Sequence, residues 1–357
     1  QGVVLGSLRR DAGELATMNA GLGSLHAHGV PVDWARLHGR GAPVGLPTYA
    51  WQHVDFWQEE RGGQRGAHPL LGEPRTTSLL PGARLWSVEV DVAALPWLAE
   101  HRIHGAVVVP GALGIEMLVS AGEQLIAGPL VLRELVFVRP ITLEPERPWC
   151  GELSATPTGA GTWLLRLTRA SGPGEWVEYL RASAVSDALE GSLALEGSLA
   201  LEGEGSGEVG SLEDADRGVP IEPLALDAYA AAQVASGLAL GPVFRPLTTL
   251  GDVALGELSL HPSLRSTAHR WRVHPTLLDA ALGLVGVAGH RIVGGALHLL
   301  ASIGELRVRR ALGRTATASA AVASGGGGLL GRLCVRDAGG VAVIVAGIEL
   351  RPVTPAQ

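Results

Sequence analysis

The chain has 357 residues, 46% of them apolar and 18% charged, and a formal net charge of −7. That composition can bury a large core, which excludes a disordered chain, and the acidic balance argues against a nucleic-acid partner, which needs a basic face. Two cysteines, Cys150 and Cys334, are too few for a disulfide framework, so a reducing, cytoplasmic setting is expected. No basic start followed by an apolar run reads as a signal peptide, and the apolar runs are too broken for a membrane span.

In chain order, residues 4–27 read as a helix, with Leu5, Leu8, Leu15, Met18, Leu22 and Leu25 near helical spacing. A short amphipathic turn runs to Leu37. Residues 43–57 read as extended and aromatic, and Glu59 to Ala67 as a linker. This opening segment, 1–66, has too few apolar residues for its own core and is expected to lie against something else. A first domain follows over 67–187. Leu85 to Val92 alternates as a strand, and Pro110 begins a helix whose Leu113, Met117, Leu118 and Ala121 share one face. Strands are expected at Leu132 to Val138, Trp149 to Ala155, Trp163 to Thr168 and Trp176 to Ala184.

Residues 188–216 form a low-complexity linker, in which Leu-Glu-Gly-Ser-Leu-Ala occurs at 189–194 and again at 195–200. The second domain, 217–357, repeats the style of the first. A helix is expected over Leu226 to Ala235, a strand over Thr248 to Leu258, and an apolar helix from His274 through Val287. Strands then follow at Leu297 to Ile303, Leu306 to Arg310, Thr315 to Ala323, Leu329 to Arg336 and Val341 to Leu350. Two similar helix-plus-antiparallel-sheet units side by side make the fold class α+β.

Two stretches carry chemistry. One is Pro96-Trp97-Leu98-Ala99-Glu100-His101-Arg102-Ile103-His104-Gly105, leading through an apolar run to Pro110-Gly111. The other is His274-Pro275-Thr276-Leu277-Leu278-Asp279 at the head of an apolar helix. A histidine and a carboxylate facing each other across a slot can run an elimination, one taking a proton from carbon and the other giving one to the departing hydroxyl. His101, beside an apolar run, is the base. Asp279, embedded in an apolar helix, is the acid, because burial keeps a carboxyl protonated; a helix cap is the bland alternative for it. His104 reads as a surface or hydrogen-bonded residue. The histidine spacing lacks a metal-ligand pattern, so no metal is expected. No phosphate-binding glycine loop or serine nucleophile elbow is present.

These stretches resemble the dehydratase domain of a modular type I polyketide synthase. His101, Gly105 and Pro110 match its His-x3-Gly-x4-Pro motif, and Pro96-Trp97-Leu98-Ala99 its lead-in. Leu240-Gly241-Pro242-Val243-Phe244 matches Tyr-Gly-Pro-x-Phe, with Leu240 where tyrosine is usual. His274 to Asp279 matches His-Pro-x-Leu-Leu-Asp, with Gly283 where Gln or His is usual. Val32-Asp33-Trp34 and Leu46-Pro47-Thr48-Tyr49 resemble the linker that follows an acyltransferase. The resemblance implies a double hotdog, two helix-wrapped antiparallel sheets in one chain. It implies that His101 and Asp279 convert a 3-hydroxyacyl thioester to its 2,3-enoyl form. Gly105 and Gly111 would supply amides to the thioester carbonyl, while Pro110, Leu240, Gly241, Pro242, Phe244 and Gly283 would shape the tunnel. No cofactor is implied beyond the phosphopantetheine arm of an acyl carrier protein, which carries the substrate. The implied partners are that carrier protein and the adjacent acyltransferase, ketosynthase and ketoreductase domains, in a homodimeric synthase of antibiotic-type secondary metabolism. A double-bond isomerase, a pyran-forming dehydratase-cyclase and an inactive scaffold domain are the alternatives within the same fold.

Overall fold

The structure, a computed structural model, describes residues 4–39, 68–144, 147–159, 161–187, 226–250, 255–293, 297–325 and 328–353. The chain divides into two units, Gln1–Gly63 and Gln64–Gln357.

In the first unit, helix α1 spans Glu14–Ala27 and α2 spans Trp34–His38. The helix expected from residue 4 thus starts at Glu14. Asp11 takes a positive φ of 64° and Gly13 is extended, so the backbone before Glu14 is not helical. The Asp33 side chain caps α2 by accepting the Arg36 N–H at 3.0 Å. No residue of either helix is buried. The aromatic stretch 43–57 and the linker 59–67 lie outside the described residues.

The second unit holds strands β1 (Arg75–Thr76), β2 (Arg84–Val90), β3 (His101–Ile103), β4 (Ala106–Val108), β5 (Leu130–Phe137), β6 (Thr142–Leu143), β7 (Trp149–Gly159), β8 (Thr162–Gly172) and β9 (Glu175–Ser186). Strands β10 (Leu238–Leu240), β11 (Leu247–Leu250), β12 (Leu255–Ser259), β13 (His298–Val308), β14 (Thr315–Gly325), β15 (Gly328–Asp337) and β16 (Gly340–Pro352) follow. Its helices are α3 (Gly111–Leu125), α4 (Leu226–Ala235) and α5 (Pro275–Val293). The linker 188–216 lies outside the described residues.

Among the described residues the main sheet has 12 strands in the order β1-β2-β7-β8-β9-β5-β13-β16-β15-β14-β12-β11, every pairing antiparallel. The halves of the chain meet at β5–β13, where Leu132 lies opposite Leu306 and Val136 opposite Ser302. Each half wraps a helix. In α3 nearly every residue from Ala112 to Gly122 is buried, because it packs on β5 and β9 on one side and on α5 on the other. α5 packs in turn on β12, β14 and β15. This is the α+β, double-hotdog arrangement. A second, 4-stranded sheet, β10-β3-β4-β6, lies apart from the main one and carries the histidine stretch.

Alternation sets the strands. In β2, Trp86, Val88 and Val90 point inward while Ser87 and Glu89 are exposed. Two expectations need correction. Leu297 to Ile303 and Leu306 to Arg310 form one strand, β13, continuous through Gly304. That glycine is there for a close approach: a side chain on it would stand 3.4 Å from the Ala346 carbonyl oxygen, beside Gly347 with its φ of 66°. Conversely, Thr248 to Leu258 is two strands, β11 and β12, paired antiparallel. Helix α5 also runs on past Val287 to Val293.

Leu132 on β5 is fully buried and its strand pairs with both β9 and β13. Leu132→Ala is expected to destabilise the unit by about 2–5 kcal/mol. Urea unfolding should show one transition at a lower midpoint; two separated transitions would mean that the halves unfold independently.

Candidate active site

A 3-10 turn at Pro96–Glu100, anchored by buried Trp97 and Leu98, delivers His101 to the start of β3. Strand β4 folds back on β3, and His101 Nδ1 lies 2.7 Å from the Val108 carbonyl oxygen. A carbonyl only accepts, so Nδ1 is the donor, and in the neutral ring the lone pair then lies on Nε2. His101 is 6% exposed, and the Phe244 ring lies against it at 5.1 Å. The β3–β4 turn is made by His104 and Gly105, with φ of 48° and 84°. Both are exposed. The Gly105 carbonyl accepts from Arg102 Nη1 at 3.0 Å, and Gly105 stands outside the cavity lining. The amide-donor role expected of it gives way to a turn role, for which a positive φ suits glycine.

The second half is stitched to this hairpin. Strand β10 pairs with β3, placing Leu240 opposite His101. The Glu100 carbonyl accepts the Gly241 N–H at 2.8 Å, and its carboxylate accepts the Val243 N–H at 3.0 Å. A side chain on Gly241 would collide with Glu100, its Cβ standing 2.3 Å from Oε2. Gly241 and Pro242 therefore form the turn that aims Phe244, and neither lines the cavity. Trp97 packs on both Phe244 and His274, 5.7 Å from each. The two sequence stretches thus share one aromatic wall.

Asp279 is held from the other side. His274 heads α5, its Nδ1 accepting the Thr276 N–H at 3.3 Å. Burial pushes this imidazole down to about 4, so it is neutral. One turn later, burial pushes the Asp279 carboxyl above its ordinary range, while the charge of His101 pulls it back down.

His101 and Asp279 both line a cavity of about 700 Å³. Pro110, Gly111, Leu240, Phe244 and Gly283 also line it. Pro110 precedes α3 without a side-chain cap, leaving the first amides of the helix, Gly111 included, directed at its end. A side chain on Gly111 would press on Phe137 at 3.2 Å and Leu300 at 3.3 Å, so only glycine lets the helix end come this close. Arg139, Arg245 and Arg351 also line the cavity, and all three are exposed.

Two carboxylates went unread in the sequence. Glu100 lies beside His101. Glu116, fully buried on α3, accepts the backbone N–H groups of Arg272 and Val273. Burial raises its carboxyl to about 8 against the pull of those amides. Glu116 has apolar neighbours, as Asp279 does, but shares its helix with a second acid, Glu123. Among the described residues no group of three or more His, Cys, Asp or Glu is placed to hold a metal, and no helix is long and apolar enough to cross a membrane.

Residues 68–168 match the family described as the polyketide synthase dehydratase domain, and residues 211–357 the family described as the polyketide synthase dehydratase N-terminal domain. Polyketide synthase GfsE of Streptomyces halstedii is 34% identical over 308 residues, which cover 80% of this chain and 8% of that protein. The mycocerosic acid synthase-like polyketide synthase of Mycobacterium tuberculosis is 28% identical over 324 residues, covering 85% of this chain and 14% of its own length. The chain therefore spans a small part of the curated relatives it matches. In fold, it is similar to the dehydratase domain from the CurF module of curacin polyketide synthase, with a TM-score of 0.67 and 18% identity over 81% of this chain and 99% of that one.

Because His101 draws the Asp279 carboxyl down, His101→Ala is expected to move its titration to higher pH. Carbon-13 NMR of labelled aspartate would measure this, and an unmoved or lowered titration would show that the two groups do not sense each other.

Proposed function

Since this chain belongs to the dehydratase domains of polyketide synthases, we propose that it removes water from a carrier-bound 3-hydroxyacyl thioester to leave the 2,3-enoyl thioester. The observation that carries this reading is the pairing, on one cavity, of a buried histidine with a free Nε2 and a buried carboxyl biased towards its protonated form. His101 takes the proton from the carbon next to the thioester carbonyl. The electron pair forms the double bond as the carbon–oxygen bond breaks, and the leaving hydroxyl takes the Asp279 proton to become water. The step leaves an imidazolium facing a carboxylate, an ion pair that attracts across a low-dielectric cavity. The Gly111 amide, at the uncapped start of α3, stabilises the negative charge that grows on the thioester oxygen.

Several details belong to the same proposal. The substrate arrives on the phosphopantetheine arm of an acyl carrier protein, so the chemistry uses no cofactor of its own. The partners are that carrier protein and neighbouring acyltransferase, ketosynthase and ketoreductase domains, in a dimeric cytoplasmic synthase. Residues 1–66 serve as the linker after the acyltransferase, 67–187 and 217–357 as the two hotdogs, and 188–216 as the tether between them.

Incubation with a panel of 3-hydroxyacyl and 2-enoyl carrier-protein thioesters, read by mass spectrometry and NMR, tests the reading. Loss of one water with a new 2,3-double bond is expected. Bond migration, ring closure or an unchanged substrate would point instead to the isomerase, the cyclase or the scaffold. His101→Ala and Asp279→Asn should each lower kcat by at least about a hundredfold, the scale of acid–base catalysis. The kcat profile should fall on its alkaline side as Asp279 loses its proton, at a pH above the usual carboxylate range. A fall centred near pH 4 would remove Asp279 as the acid.

A further inference from the structure

Glu116 takes no part in the elimination, yet it is 1% exposed on α3 in the first half of the unit. Both carboxylate oxygens are engaged: Oε1 accepts the Arg272 N–H, and Oε2 accepts the Val273 N–H at 3.1 Å. These amides belong to the second half and lead, through the His274 cap, directly into α5. Helix α3 grips the same place a second time, where Glu123 pairs with the Arg272 guanidinium at 2.8 Å. That second pair is about a third exposed on each side, so solvent weakens it. The buried contact is therefore the stronger of the two.

A buried carboxyl group is costly unless its oxygens are satisfied, and an apolar residue in its place is often as stable. Packing alone thus gives no reason for an acid here. What a carboxyl group does that a methionine does not is hold two backbone N–H groups at fixed points in space. The two ends of this contact are well chosen. On one side, α3 starts immediately after the β3–β4 hairpin that holds His101. On the other, Arg272 and Val273 lie a few residues before Asp279, with only the His274 cap and the first turn of α5 between.

We propose that Glu116 is a positioning residue for the elimination: by anchoring the Arg272–Val273 backbone to α3, its carboxylate sets where Asp279 stands relative to His101. This rests on the dehydratase reading. The link from base to acid runs through a hairpin, a helix, two hydrogen bonds, a cap and a second helix. The hydrogen bonds to Glu116 are its non-covalent step between the halves, beside the Glu100 contacts that hold the Phe244 turn.

Glu116→Gln tests it, because the side chain keeps its size while one acceptor becomes an NH2 group that cannot receive an N–H. Amide exchange at Arg272 and Val273 should quicken while circular dichroism reports a folded chain. With Asp279 misplaced by as little as about an ångström, kcat should fall by about a hundredfold while KM stays close to that of the unaltered protein. The Asp279 titration should also shift, since its distance to His101 has changed. Quickened exchange at both amides with kcat and the Asp279 titration unmoved would overturn the proposal. Should Glu116→Gln fail to fold, Glu116→Asp, one methylene too short to reach both amides, carries the same expected and overturning results. If the unaltered protein dehydrates none of the substrates, the functional reading fails; amide exchange and the Asp279 titration then still decide whether Glu116 sets the position of the acid.

Discussion

The antiparallel pairing of β5 with β13 is the contact on which the rest depends. It turns two helix-wrapped halves into one sheet, and it does so with backbone hydrogen bonds that permit no sliding without loss of register. Charged groups reinforce the join: Arg133 pairs with Glu305 at 3.1 Å across the two strands, and Arg307 pairs with both Glu305 and Asp187. Arg307 is buried, so an unpaired guanidinium there would be costly, and slippage of the seam would strand it. His101 and Asp279 reach one cavity from different halves, so their separation depends on such a join.

Upon this frame the polar groups divide by burial. His274 and His68 are both held neutral, each pushed down to about 4, and both pack on Trp271. Both pack as rings, and each Nδ1 accepts a nearby backbone N–H, that of Leu70 at His68 and that of Thr276 at His274. His101 differs in opening onto the cavity while its other nitrogen is spent on Val108. The same residue type therefore does two jobs within one wall, and the surroundings, not the side chain, decide which.

Much of this was readable in the sequence, for physical reasons. Period-two alternation located β2, since half-buried strands must alternate, and strands were also expected where β7, β8, β9, β14, β15 and β16 lie. His101 and Asp279, each beside a long apolar run in the sequence, both line the one cavity. The misreadings concern glycine. Gly304 looked like a break, yet it lets two backbones approach inside a strand, and local sequence does not distinguish these uses. Gly105 looked like an amide donor and is a turn. Glu100 and Glu116 went unread because their partners are backbone N–H groups from distant segments, which leave no mark in the sequence around them.

The edge strand β10 has a further consequence. Where the first half ends, Asp187 is tied by its N–H to Pro129 and by its side chain to Arg307. Where the second resumes, β10 is laid on β3, and the Gly237 carbonyl accepts the His104 N–H at 2.8 Å. Both ends of the intervening chain are thus fixed by their own bonds. Lengthening a chain between fixed ends costs only about 0.6 kcal/mol for each doubling. The repeated Leu-Glu-Gly-Ser-Leu-Ala at 189–194 and 195–200 falls between those two ends.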